Sequence, residues 1–81
     1  MARYISSKNP IASNALKRRP LGSVVTRHYG RTDIKFTRIA GGWVRERMDV
    51  TSERPEVVSS SDVARECNGA VGCKSSWAKV Y

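Results

Sequence analysis

Basic side chains are the residues of this chain whose types and spacing are best suited to binding chemistry. The 81 residues include 15 Lys and Arg against 7 Asp and Glu, which gives a formal net charge of +8. Residues 1–21 hold five basic and no acidic residues, residues 22–50 hold six against three, and residues 51–81 hold four of each. This asymmetry favours attraction to a polyanion or an acidic surface, although it can also serve solubility alone.

The candidate contacts come from the N-terminal segment and from two predicted strands. Arginine and lysine there could neutralise phosphates or acidic side chains. Trp43 could offer a ring for stacking or an interface anchor, with burial in the core as the alternative. The predicted partner- or phosphate-binding residues are Lys17, Arg18, Arg19, Lys35, Trp43, Arg45 and Arg47.

Residues for catalysis or metal binding are sparse. His28 is the single histidine, and the acidic residues either alternate with arginine or lie in predicted loops. Cys67 and Cys73 lie six positions apart. Even together with His28 they supply too few ligands for a structural zinc site. A disulfide between them is geometrically feasible, but a reducing cytoplasm favours free thiols. We therefore predict no enzymatic activity, no catalytic residues, no metal and no cofactor.

Three predicted strands form the middle of the chain. Residues 23–29, 34–40 and 43–50 are rich in β-branched and aromatic residues with alternating polarity. Residues 30–33 supply the first turn, and Gly41-Gly42 is typical of a two-residue hairpin turn. These features predict a three-stranded antiparallel meander.

One short helix and a last strand are predicted after a loop over residues 51–59. Ser59 and Asp62 have the spacing of a helix cap and its reciprocal partner, and Gly69 stands where a left-handed C-terminal cap is expected. Residues 75–81 alternate as a closing strand, with Trp77 and Tyr81 on one face.

The predicted fold class is α+β: a small three-stranded antiparallel meander, one short helix and a closing strand, preceded by a basic N-terminal arm. Pro10 and Pro20 punctuate residues 1–21, which we expect to be a flexible arm, and residues 22–81 form the β-β-β-α-β domain. The predicted core consists of Val24, Val25, Ile34, Phe36, Trp43, Val44, Val63, Trp77 and Val80.

Neither a membrane span nor an export signal is predicted. No apolar run approaches the ~20 residues that a spanning helix needs. The first five residues are followed by polar ones rather than by an apolar stretch. We therefore expect a cytoplasmic protein with no membrane partner.

Five stretches of the chain form a recurring order of short motifs: 20–25, 36–38, Gly41-Gly42-Trp43, 59–64 and 77–81. Together they resemble the small accessory proteins of phages that infect high-GC bacteria. The resemblance covers residues 20–81 and implies a phage context, but no functional residue can be carried over from it.

Two functions are compatible with these features. The first is a non-enzymatic interaction protein that binds an acidic surface of a host or phage protein as an inhibitor, a modulator or a virion component. The second is a small basic nucleic-acid-binding module that makes mainly phosphate contacts. The sequence does not distinguish them and leaves the oligomeric state open.

Overall fold

The protein is described by a computed structural model that covers residues 3–6, 8–49, 54–71 and 76–81. Within these residues the chain forms six strands and two helices in a mixed α+β arrangement. The elements, in chain order, are β1 (Arg3–Ile5), α1 (Ser13–Lys17), β2 (Val24–Tyr29), β3 (Thr32–Ile39), β4 (Gly42–Arg47), β5 (Glu56–Val58), α2 (Ser60–Ala70) and β6 (Trp77–Val80).

The strands of the described residues form one antiparallel sheet in the order β1-β6-β2-β3-β4-β5. The predicted meander is present as β2, β3 and β4, and the predicted closing strand is present as β6, which pairs with β2. The sheet is larger than expected because β1 extends it beyond β6 and β5 extends it beyond β4. These two strands have three residues each, too few to show an alternating pattern in the sequence.

The N-terminal segment differs from the predicted arm because much of it is built into the fold. Residues 3–5 pair with β6, and α1 packs against α2, with Ile11 and Leu16 buried. Asn68 of α2 fastens this segment by accepting a hydrogen bond from the Ile11 N–H at 3.0 Å and donating one to the Ile11 carbonyl at 2.9 Å. A short helix that is marginal alone is thus stabilised by tertiary contacts.

The predicted start of α2 is confirmed and its predicted end is wrong. Ser59 caps the helix: its hydroxyl accepts from the Asp62 N–H and its own N–H donates to the Asp62 carboxylate. The helix runs through Gly69, which does not adopt the left-handed conformation, and ends at Ala70. Ala70 is buried, so continued packing outweighs the tendency of glycine to end a helix.

The β3–β4 turn lies one residue earlier than predicted. Ile39 pairs with Gly42, so the two-residue loop is Ala40-Gly41, and of the two glycines only Gly41 has a positive φ, of 83°. Gly42 begins β4 and is needed for a different reason. A Cβ there would lie 2.8 Å from the carbonyl oxygen of Val58 on β5, closer than side-chain atoms pack.

One face of the sheet carries the core. The fully buried side chains of the sheet alternate toward α2, which packs across β2, β4 and β6. The predicted core members Val25, Ile34, Phe36, Trp43, Val63 and Val80 are buried. Trp77, by contrast, lies on the other face and is exposed, and Val24 and Val44 there are only half-buried.

Candidate functional site

The face of the sheet opposite α2 carries a group of aromatic side chains. Residues 77, 79 and 81 alternate with Ala78 and Val80, which are buried on the helix side, so Trp77, Lys79 and Tyr81 point the other way. Register places Tyr4 of β1 opposite Lys79, and His28 of β2 opposite Trp77. Tyr4, Trp77 and Tyr81 remain 58%, 37% and 48% exposed, which is unusual for large rings on a small sheet.

The rings contact one another. The imidazole of His28 stacks on the indole of Trp77 with centroids 5.5 Å apart and planes inclined by 17°. Tyr4 meets the same indole edge-on, with centroids 6.0 Å apart. The Lys79 ammonium lies 5.2 Å from the Tyr4 ring centroid and 4.7 Å from that of Tyr81, a cation–π arrangement. We call this group of Tyr4, His28, Trp77, Lys79 and Tyr81 the aromatic face.

A shallow cavity of about 280 Å³ opens beside the aromatic face, and Trp77 and Tyr81 form part of its wall. Thr26, Asp33 and Met48 also line it. The Thr26 hydroxyl is buried and has no hydrogen-bond partner among the described residues. The Asp33 carboxylate is oriented by a hydrogen-bond contact between its Oδ1 and Nδ1 of His28. Arg27 and Ile34 line it too, although their positions alternate to the face of α2. On the face of Trp77 the cavity therefore combines aromatic surface with the polar side chains of Thr26 and Asp33.

Basic residues flank this face at one end of the sheet. Arg19 donates a hydrogen bond to the Tyr81 carbonyl, and the Gly22 N–H donates to the Arg38 carbonyl at 2.8 Å. These contacts place the segment after α1 beside the end of β6. Arg19 therefore lies at the border of the aromatic face, with the exposed Arg18 before it. Lys17 is also exposed but lies on the helix side of the sheet, where its carbonyl accepts a hydrogen bond from Arg38 and it lines a cavity with Ser59 and Ser60.

The structure places Trp43, Arg45 and Arg47, three further predicted contact residues, away from the aromatic face. Trp43 is fully buried, and its indole N–H donates to the Ser60 hydroxyl at 3.0 Å, so it belongs to the core and offers no surface for stacking. Arg45 lies on the helix side of β4 and pairs with Glu66 and Glu56. Arg47, also on that side, pairs with Asp49 at 2.8 Å.

Lys35 does not join the arginines of β4 in one patch. It pairs in register with Glu46, whereas its neighbour Phe36 pairs with Arg45. Successive residues of a strand point to opposite faces, so Lys35 lies on the face of Trp77 and Arg45 on the face of α2. The register therefore does not make Lys35 a neighbour of Arg45 and Arg47 on one face.

Sequence reasoning missed Tyr4, His28 and Lys79 as members of a site and assigned Trp77 to the core. The alternation of residues 75–81 did indicate correctly that Trp77 and Tyr81 share a face. The sequence did not reveal which face is covered, because that depends on where α2 packs.

The cysteines and acidic residues add no reactive centre within the described residues. Cys67 is buried against the sheet, and desolvation, followed by the nearby negative charge of Glu66, raises the pKa of its thiol to about 12. A protonated thiol of this kind is a poor nucleophile and metal ligand. Cys73 lies outside the described residues. Among the described residues, no three His, Cys, Asp or Glu side chains group as a metal site.

The described helices are too short and too polar to cross a bilayer. Comparisons of the chain with protein-family models, with curated proteins and with solved structures found no match.

Proposed function

We propose that this protein binds single-stranded nucleic acid through the aromatic face. The observation that carries the proposal is the cluster of Trp77, His28 and Tyr4 on a sheet face that no described helix covers. Unpaired bases stack on exposed aromatic side chains, and such stacking contributes about 1–3 kcal/mol per base.

Charge complementarity supports the same partner. The chain carries a net charge of +8, and Lys79 lies within the aromatic face itself. Arg19 borders it at Tyr81 and is preceded by the exposed Arg18, so these two arginines can follow a phosphate backbone that leaves the face. A groove or face that combines positive charge with rings is typical of proteins that bind single strands with little sequence readout.

A single strand fits this face better than a duplex. The bases of a duplex are already stacked on one another, and their faces are inaccessible to Trp77 unless the duplex is opened. Among the described helices, α1 has five residues and α2 has its N-terminus capped by its own Ser59 and Asp62. Neither helix therefore resembles an element that reads the major groove.

The direct test is a fluorescence-anisotropy titration with labelled oligothymidylate and oligouridylate of about 12 nucleotides, and with a duplex of the same length. We expect tighter binding of the single strands than of the duplex, and a steep loss of affinity between about 50 and 200 mM salt. Comparison of the two single strands shows whether binding distinguishes DNA from RNA, which here differ in the 2′-hydroxyl and the thymine methyl group. A failure of both to bind at the lower salt would overturn the proposal.

Intrinsic fluorescence adds a readout specific to the site. Trp43 is fully buried, whereas Trp77 is partly exposed, so stacking of a base should quench mainly Trp77. Trp77→Ala should remove the quenching and weaken binding about 5- to 100-fold. Val57→Ala is the matched control, since Val57 is exposed on the same face at the far edge of the sheet and should leave affinity unchanged.

A protein partner is the second proposal, and the exposed edge of β5 supports it. β5 is the outermost strand beyond β4, and Val57 on it is 69% exposed. A partner strand could add to this edge. In that case Val57→Lys should reduce binding to the partner, while Trp77→Ala should not. The phage context remains a prediction from the resemblance alone.

A further inference from the structure

The cavity beside the aromatic face has polar groups that the proposed stacking does not use. Its wall combines Trp77, Tyr81 and Met48 with Thr26 and Asp33 on the face of Trp77, and Arg27 and Ile34, whose positions alternate to the other face, complete the lining. The volume of about 280 Å³ is at the lower limit for ligand pockets, so it suits a fragment about the size of one nucleobase rather than a larger molecule.

We propose that this cavity is a base pocket that prefers guanine, an inference that rests on the proposed binding of single strands. An unpaired guanine would stack against Trp77 and present its Watson–Crick edge to Asp33. The Thr26 hydroxyl, buried without a partner among the described residues, would gain one from the same base.

The preference for guanine follows from the acceptor chemistry of Asp33. An ionised carboxylate offers only acceptors, on two oxygens. Its Oδ1 contacts His28, which fixes the group while leaving Oδ2 without a described partner. Guanine has two adjacent donors, N1–H and N2–H₂, and these match Oδ2 and the second lone pair of Oδ1.

The other bases match this acceptor pair less well. Adenine and cytosine each place a ring-nitrogen acceptor beside their amino donor, and this acceptor would face a carboxylate oxygen. Thymine and uracil have one N–H between two carbonyl acceptors. Each therefore brings an acceptor against the negative charge of Asp33, an arrangement that costs free energy.

The test uses oligothymidylates of about 12 nucleotides that carry one central guanine, inosine, adenine or cytosine. Inosine is guanine without its N2 amino group, so the comparison removes one donor without altering the protein. We expect the guanine oligonucleotide to bind the wild-type protein about tenfold more tightly than the inosine one. We expect Asp33→Asn to make the two bind equally.

Glu46→Gln is the matched control for Asp33→Asn. Glu46 is another carboxylate on the face of Trp77, paired in register with Lys35, but it does not line the cavity. This variant should keep the preference for guanine over inosine. Circular dichroism of Asp33→Asn checks that the fold is intact, and the inosine comparison stands even if that variant fails to fold.

The outcomes separate the two proposals. Equal binding of all four oligonucleotides by the wild-type protein would overturn the guanine pocket and leave single-strand binding in place. Tighter binding of inosine, adenine or cytosine than of guanine would do the same. Absence of binding to every oligonucleotide at low salt would remove both proposals.

Discussion

Arg45 on β4 holds Glu66 on α2 by donating hydrogen bonds from Nε to Oε2 and from Nη2 to Oε1, each 3.1 Å long, and a longer one from Nε to Oε1 at 3.3 Å. Arg27 on β2 approaches the same carboxylate at 3.7 Å. Glu66 therefore fastens the helix to two strands of the sheet. Part of the positive charge that the sequence offered to a partner is neutralised by Glu66, within the molecule.

Replacing Glu66 should destabilise the fold more than replacing a neighbour on the outer side of the same helix. Glu66→Gln removes the carboxylate that two partly buried guanidinium groups share and leaves Arg45 only its contact with the exposed Glu56, so we expect a loss of about 1–3 kcal/mol in the free energy of unfolding. Urea denaturation measures it. Arg65→Ala breaks only an exposed pair with Asp62 and should cost less than about 0.5 kcal/mol. Equal effects of the two variants would contradict this role of Glu66.

Alanine at two glycines should have opposite effects on stability. Gly42→Ala forces a methyl group against the Val58 carbonyl oxygen, since its Cβ would lie 2.8 Å away, and should destabilise by about 1–3 kcal/mol. Gly69→Ala meets nothing within 4 Å and lies inside α2, so it should stabilise by about 0.5–1 kcal/mol. Thermal melting of both variants checks the prediction, and stabilisation by Gly42→Ala would refute the close approach of β4 and β5.

The cap of α2 should make stability depend on pH in the acid range. The hydrogen bond from the Ser59 N–H, followed by interaction with the Ser59 hydroxyl, holds the pKa of the Asp62 carboxyl below its ordinary value. A carboxyl whose pKa is lower in the folded state adds stability above its unfolded pKa and loses it as pH falls through the folded pKa. Asp62→Asn should therefore flatten the decline in stability below about pH 4.

Denaturation curves at several pH values measure this contribution of Asp62. Asp49 supplies a second lowered pKa, caused first by its hydrogen bond with the Arg47 side chain, so some acid dependence should remain in Asp62→Asn. An unchanged pH profile in that variant would mean that the capping hydrogen bonds do not persist in solution.

Cys67 should react slowly with thiol reagents in the folded protein. Burial raises the pKa of its thiol to about 12, so the reactive thiolate is scarce at neutral pH and the sulfur is inaccessible. Alkylation is best followed in Cys73→Ser, which leaves Cys67 as the only thiol. The rate should rise steeply when urea unfolds the chain. Rapid alkylation without denaturant would contradict the burial of Cys67 between α2 and the sheet.

Removal of two arginine charges beside Tyr81 should reduce the salt dependence of nucleic-acid binding. Arg18→Gln combined with Arg19→Gln should weaken binding about equally for all oligonucleotides, because phosphates carry no base identity. The slope of log affinity against log salt should fall by about 0.7 for each phosphate that the variant no longer neutralises. Lys17→Gln is the control for a general charge effect, since Lys17 is exposed but lies on the helix side of the sheet. An equal change in slope per charge removed in Lys17→Gln would argue against localised binding of phosphates by Arg18 and Arg19.

The local elements with strong signals could be predicted from the sequence. The meander followed from alternation over strands of six to eight residues, and the start of α2 followed from Ser59 and Asp62, whose reciprocal hydrogen bonds lie within a single turn. The placement of Trp77 and Tyr81 on one face could be predicted because successive side chains of a strand alternate between its two faces. In each case the physical cause lies within a few residues of the chain.

The aromatic face depended on residues distant in sequence. Tyr4 and Trp77 meet because β1 pairs with β6, a pairing between the two ends of the chain that no local pattern encodes. The prediction that Trp77 belongs to the core is wrong for a related reason. A strand's alternation predicts two faces, and only the packing of α2 determines which of them is buried, because burial of apolar area depends on the whole chain. The sequence alone therefore determined the meander, the closing strand, the helix cap and the excess of positive charge. The tertiary structure decided the two short edge strands and which rings and charges reach the surface.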